Sequence, residues 1–166
     1  MSSPDLIDVV VEIPRGSRNK YEYDEERGVM RFHRRLLGAI GFPADYGFVP
    51  ETLGSDDDPL DALVLLDEPT YPGVWVASRP VGVSWIGTKH GREAKLMCVP
   101  DGEPAYEHVN DLEDLPAHLR DEIKHFFAVY QQLDEHGGST NEGQDGRDVA
   151  LQVLEEARGR YRSSRR

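Results

Sequence analysis

Six consecutive positions constrain this chain more than any others. Asp56-Asp57-Asp58-Pro59-Leu60-Asp61 places four carboxylates directly ahead of the apolar run Ala62-Leu63-Val64-Leu65-Leu66. A solvated acidic loop has no need of so tight a junction with a buried strand. Proline at 59 fixes its own φ and pushes Asp58 toward an extended backbone. Asp56, Asp58 and Asp61 are therefore expected on a stiff turn that feeds a strand. Like charges so close together repel, and a hard divalent cation with oxygen ligands relieves that repulsion. A polar turn that merely caps a strand is the alternative, and the motif alone leaves both open.

The flanking sequence decides what the turn is built into. Leu6 to Ile13 is rich in Val and Ile and reads as a strand, with Glu12 set inside it. Lys20-Tyr21-Glu22-Tyr23 alternates, which puts Lys20 and Glu22 on one face. Val29 to Leu37 reads as a third strand, whereas Gly38 to Pro50 shows neither helical nor strand period. Leu60 to Leu66, Val74 to Ile86 and Ala94 to Val99 complete the strands, and Gly87 to Gly91 reads as a hairpin loop. Beyond Pro100 the period changes. Leu119, Ile123, Phe126, Phe127, Tyr130 and Leu133 mark an amphipathic helix that starts after Asp111–Pro116 and stops at His136-Gly137-Gly138. Ser139 to Arg147 reads as a loose loop, and Val149, Val153, Leu154 and Ala157 as a shorter second helix. Strands first and helices last predict an α+β fold: a small closed or nearly closed barrel with helices against its side.

Composition narrows the function. The 166 residues fit one domain over 1–166. Acidic residues outnumber basic ones 31 to 19, for a net charge of −12, which argues against a nucleic-acid surface. The arginines at 158, 160, 162, 165 and 166 read as a soluble terminus. Cys98 is the one cysteine and its neighbours are apolar, so it is expected to be a core thiol in a cytoplasmic protein. No apolar run approaches the ~20 residues of a membrane-spanning helix, and the N-terminus lacks the pattern of a signal peptide.

Polar side chains then stand where apolar ones are expected: Glu12, Lys20, Glu22, Arg34, Tyr46, Glu93, Lys95 and Tyr130, together with the acidic turn. Carboxylates beside Lys and Arg suit a ligand that is both metal-bound and anionic, such as a magnesium phosphate complex. Basic groups would hold phosphate oxygens while a carboxylate took a proton from water. Each of these residues also has a plainer reading. Glu22 and Arg34 could be a cross-strand pair, Tyr130 could be core, and Lys95 could be an outward strand residue.

Taken together, the motifs resemble a known family. Asp56-x-Asp58-Pro59-x-Asp61 is similar to the D-x-D-P-x-D signature of the family I soluble inorganic pyrophosphatases. Glu12-Ile13-Pro14-Arg15, Lys20-Tyr21-Glu22, Asp45-Tyr46-Gly47, Arg79-Pro80-Val81-Gly82-Val83, Lys95-Leu96 and His125-Phe126-Phe127-x-x-Tyr130 follow in that family's order and spacing. The resemblance implies an OB-like five-stranded β-barrel with flanking C-terminal helices. It also implies hydrolysis of magnesium pyrophosphate by a cytoplasmic homo-oligomer, a hexamer by resemblance. It assigns Asp56, Asp61, Glu93, Glu12 and Glu22 to Mg2+, with Mn2+ or Zn2+ as alternatives. Asp58 matches the carboxylate that activates the attacking water. Tyr46, Lys20, Arg34, Lys95 and Tyr130 match groups that contact phosphate oxygens.

Four positions depart from the family pattern: Thr88 and Glu93 stand where aspartates are expected, Gln131 where a lysine is, and Phe42 where a tyrosine is. Lys89 and His90 add charge near the missing aspartate, where they could occupy the space of a lost cation. These departures keep two further readings open. One is a diverged hydrolase acting on an organic phosphate or diphosphate, and the other is a non-catalytic module that binds metal or phosphate.

Overall fold

A computed structural model of the chain describes residues 5–89, 91–132 and 140–166, and for 131, 132 and 140 the backbone alone. Seven strands precede the first helix: β1 (Ile7–Ile13), β2 (Asn19–Asp24), β3 (Val29–Arg35), β4 (Asp45–Phe48), β5 (Asp61–Val64), β6 (Trp75–Thr88) and β7 (Gly91–Pro100). Then come α1 (Ala117–Gln132), β8 (Thr140–Gly146) and α2 (Arg147–Ser164). Strands β1, β4, β5, β7 and β6 are hydrogen-bonded in that order, and β6 pairs with β1 again, so the sheet closes into a five-stranded ring. Strand β8 extends β6 outside the ring, and β2–β3 form a separate two-stranded hairpin.

Closure rests on β6. Its first residues, Trp75–Ser78, pair with β1, and Gly82–Gly87 pair with β8. Between Pro80 and Gly82 its register against β7 shifts by a bulge. Proline cannot donate to a ladder and glycine weakens one, so the pair that looks like an interruption in sequence is where one long strand bends and changes partner.

Both faces of the ring are covered. From β5 and β7, Leu63, Met97 and Val99 pack toward Ile123, Phe126 and Phe127 of α1. Their alternates Ala62, Val64, Leu96 and Cys98 pack toward Ala150, Val153, Leu154 and Ala157 of α2. A strand buried on both faces reads as a continuous apolar run, which is why Leu96-Met97-Cys98-Val99 shows no alternation. Cys98 is fully buried, and burial pushes its thiol far above the ordinary value, as expected of a core residue.

Four local expectations are corrected. Asp45–Phe48, inside the segment expected to be irregular, is strand β4, because it pairs with β1 on one side and β5 on the other. The loop expected over Ser139–Arg147 contains strand β8, held by β6 although its side chains are polar. The second helix runs to 18 residues rather than being short; the Asp111 carboxylate accepts the N–H of Arg147 at 2.9 Å at its start. Strands β6 and β7 also continue to a closing pair at Thr88 and Gly91, inside the expected hairpin loop. Leu133 and the helix stop at His136-Gly137-Gly138 lie outside the described residues.

Candidate active site

The acidic turn is rigid for reasons of backbone chemistry. Gly54 N donates to Asp58 O at 2.7 Å, Asp58 N donates to Asp56 Oδ1 at 3.2 Å, and Asp57 takes φ of 66°, a left-handed value that Asp tolerates. Below it, the buried Thr52 hydroxyl donates to Val49 O and accepts from Leu60 N, fixing the entry to β5. Asp61 is the first residue of β5 and stands beside Lys95 of β7 in the parallel register.

Lys95 is the hub. It is 7% exposed, which excludes the outward-facing alternative. Its Nζ lies 2.5 Å from Asp61 Oδ2 and 3.7 Å from Glu93 Oε2, and it donates to Tyr46 Oη at 3.2 Å. Burial alone would lower the ammonium's pKa, but Asp61, Tyr46 and Glu93 hold it well above the usual value. Burial likewise pushes the Tyr46 phenol up, and the Asp61 charge adds to the effect, so this hydroxyl keeps its proton. The Tyr46 ring packs against Phe42 and Phe127, with centroids 5.4 and 6.3 Å away.

The carboxylates sense one another. Burial raises the Asp58 pKa, with Asp56 and Asp61 adding to the shift. Burial raises Glu93 as well; Lys95 opposes the shift while Asp56 and Asp61 reinforce it. Glu12, at the end of β1, accepts the N–H of Tyr23 at 2.9 Å. Burial carries its carboxyl up to about 7 despite that hydrogen bond, with help from Asp61 and Glu22. Lys20 stands 3.8 Å from Glu22 and 5.9 Å from the centre of the Tyr130 ring. Tyr130 itself stacks on Phe126 and meets Phe42 edge-on, so its core role and its place near Lys20 coexist. Arg34 sits opposite Lys20 across the β2–β3 ladder with its Nη2 buried. The register pairs Glu22 with Arg31, and the Glu22 carboxylate also lies near Lys20 and His33.

The departures have local explanations. Phe42 is 2% exposed amid Tyr46, Phe126 and Tyr130, where a hydroxyl is not required for packing. The Thr88 hydroxyl donates to Gly91 O at 3.0 Å, tying it to the β6–β7 turn. Lys89 is exposed, while His90 and the side chain of Gln131 lie outside the described residues.

Among the described residues no three carboxylates, histidines or cysteines converge closely enough to hold an ion by themselves. The donor set nevertheless suits Mg2+. All its members are oxygen ligands, and that ion keeps several waters and takes one or two carboxylates plus substrate phosphates rather than a closed protein cage. Burial is the first cause of the raised pKa of Glu12, Asp58 and Glu93, and neighbouring carboxylates, whose charge a divalent ion would neutralise, add to it.

One supporting network escaped the sequence reading. Asp45, fully buried, accepts from Arg15 N at 2.8 Å and from Thr70 N and Oγ1 at 3.0 and 2.5 Å. It ties the turn after β1 and the loop after β5 to the strand that carries Tyr46. Thr70 is 25 residues away, so nothing local signals the contact.

The profile of the inorganic pyrophosphatase family matches residues 9–162. An inorganic pyrophosphatase of Methanosarcina acetivorans is 45% identical over 161 residues, 97% of this chain and 95% of its own. One from Streptomyces coelicolor is 46% identical over 157 residues, 93% of this chain and 95% of its own. Among solved structures, the inorganic pyrophosphatase of Thermus thermophilus superposes with a TM-score of 0.92 at 38% identity, covering 98% of this chain and 94% of that one. The enzyme of Helicobacter pylori gives 0.92 at 41%, covering 98% and 96%.

Proposed function

This chain belongs to the inorganic pyrophosphatase family, and on that premise we infer that it hydrolyses pyrophosphate to two phosphates with the help of divalent cations, Mg2+ first among them. The observation that carries the reading is the buried Lys95, held charged between Asp61, Glu93 and the Tyr46 phenol, within reach of carboxylates whose proton affinity is raised.

The residue roles follow from chemistry. Asp56, Asp61, Glu93, Glu12 and Glu22 would hold the cations, which would offset carboxylate charge and polarise the phosphoryl group and water. Asp58 accepts the proton of the attacking water; burial and its acidic neighbours make it a stronger base than a free aspartate. Lys20, Arg34 and Lys95 hold phosphate oxygens by charge-assisted hydrogen bonds, and the Tyr46 and Tyr130 hydroxyls donate to them. The organic-phosphate and non-catalytic readings gain no support from the relatives. The resemblance supports self-association, with a hexamer as the size it implies. The lone buried Cys98 supports a cytoplasmic location and the shared core a single domain over 1–166, and among the described residues no helix is long and apolar enough to cross a membrane.

The test is phosphate release from pyrophosphate with Mg2+, Mn2+ or Zn2+. Removing a positioned general base costs roughly 10²–10⁴-fold in rate, so Asp58→Asn should lower kcat by at least that lower figure. Equal release by parent and variant, or none from the parent with any metal, would defeat the assignment.

A further inference from the structure

The β2–β3 hairpin carries Lys20, Glu22 and Arg34, yet it stands outside the closed ring that carries Asp61, Glu93 and Lys95. Every residue of its two strands is half-buried or exposed. A two-stranded hairpin alone is marginally stable, so its placement depends on what fastens it to the ring. Packing fastens the base: Leu36, just past β3, is buried in the core on the α1 side, and Tyr21 packs against the same cluster. The outer end, Glu25–Gly28, is exposed. Tyr23 lies between the two.

Two separate contacts meet at Tyr23. Its ring stacks on Phe48 of β4, with centroids 5.8 Å apart and planes 27° from parallel. Phe48 is the register partner of Val10 on one side and of Asp61 on the other, so the stack lands beside the first carboxylate of β5. The backbone N–H of Tyr23 donates to Glu12 Oε2 at 2.9 Å. Glu12 sits at the bulge of β1 between Val11 and Ile13, and a bulge re-aims the side chain it carries. The ring of Tyr23 is 38% exposed, so it adds little to the core, and its stack serves orientation more than global stability. The two contacts fix the distance and tilt of the hairpin against β1 and β4. Glu22 is the adjacent residue, Lys20 lies on the same strand, and Arg34 faces Lys20 across the ladder, so all three move with it.

We propose that Tyr23 is a positioning residue for pyrophosphate: by clamping the hairpin to Phe48 and Glu12, it holds Lys20 and Glu22 against the carboxylates of the ring. The inference rests on the hydrolase reading above. Tyr23 acts through Lys20 and Glu22 and does not itself touch the substrate.

The experiment compares the parent, Tyr23→Ala and Tyr23→Phe in pyrophosphate hydrolysis with Mg2+, and in amide hydrogen exchange of the chelator-treated protein. With Tyr23→Ala, KM is expected to rise about tenfold while kcat stays within about threefold, because Asp58 stands on the ring side and not on the hairpin. Amides of residues 19–24 and 29–35 should exchange faster, and those of β5–β7 at the parental rate. Tyr23→Phe keeps the stack and should restore both readouts. In a Lys20→Met background, Tyr23→Ala should raise KM by less than about twofold, since the two residues act as one unit. The proposal is overturned if Tyr23→Ala leaves KM within about twofold of the parent or leaves the hairpin amides at the parental rate. It is overturned equally if Tyr23→Phe fails as Tyr23→Ala does, or if the Tyr23→Ala effect adds in full to that of Lys20→Met. Lost protection in β5–β7 would also overturn it, because that marks a general loss of stability. A parent that releases no phosphate defeats the hydrolase reading, whereas an unchanged KM beside an active parent defeats the role of Tyr23 alone.

Discussion

Lys95 shows how much one side chain can carry. Its charge is buried, and it is tolerable only because Asp61 and Glu93 surround it. The same contact makes those carboxylates tolerable in turn. Lys95→Met is therefore expected to strand two partly buried negative charges and to destabilise the metal-free protein by about 3–5 kcal/mol. Added Mg2+ should recover part of that loss. Urea unfolding with and without the ion measures both, and a variant as stable as the parent would mean that the pair contributes little. Sequence periodicity places Lys95 on a strand but does not say which way it faces; the neighbour Asp61, brought alongside by parallel pairing, decides that.

At the scale of elements, β4 is the instructive case. Four residues, Asp45–Phe48, carry Tyr46 into the site and join β1 to β5. Gly47 makes the junction possible: a Cβ there would lie 1.8 Å from Val10 O and 3.0 Å from Val11 Cα. Neither neighbour is a side chain that can swing aside. Gly47→Ala should push β1 away from β4 at a cost at the upper end of overpacking, about 3 kcal/mol. Chemical denaturation reads the loss, and pyrophosphate hydrolysis should fall with it because Tyr46 moves with the strand. An Ala variant with parental stability would show that the two strands can separate freely.

For the whole molecule, burial of carboxylates sets the response to pH. Glu12 shows it, since its carboxyl is raised from 4.5 to about 7 in the folded protein, chiefly by burial. The folded state thus binds more protons than the unfolded chain between those two values. Stability of the metal-free protein should therefore decline as pH rises from about 4.5 to about 7, and Glu12→Gln should flatten that part of the profile. Divalent cations should act in the opposite sense, stabilising more as pH rises and the carboxylates ionise. Thermal unfolding across this range, with chelator and with Mg2+, is the measurement; a rise in metal-free stability through the window would show that Glu12 does not dominate it.

The sequence by itself determined the strands that repeat an apolar pattern, the helix α1 and the acidic turn, because hydrophobic period and Pro59 act within a few residues of chain. It also determined the chemistry on offer, since oxygen ligands beside lysine and arginine need no tertiary information to suggest a metal-bound anion. Tertiary structure alone decided that Asp45–Phe48 and the polar Thr140–Gly146 are strands, because distant partners supply their ladders. It decided that Pro80 and Gly82 bend one strand rather than end it, that Lys95 faces inward, and that Asp45 is satisfied by Arg15 and Thr70. The physical reason is common to all of them. Burial and pairing are properties of the closed ring, and a residue's neighbours there are chosen by closure rather than by its position along the chain.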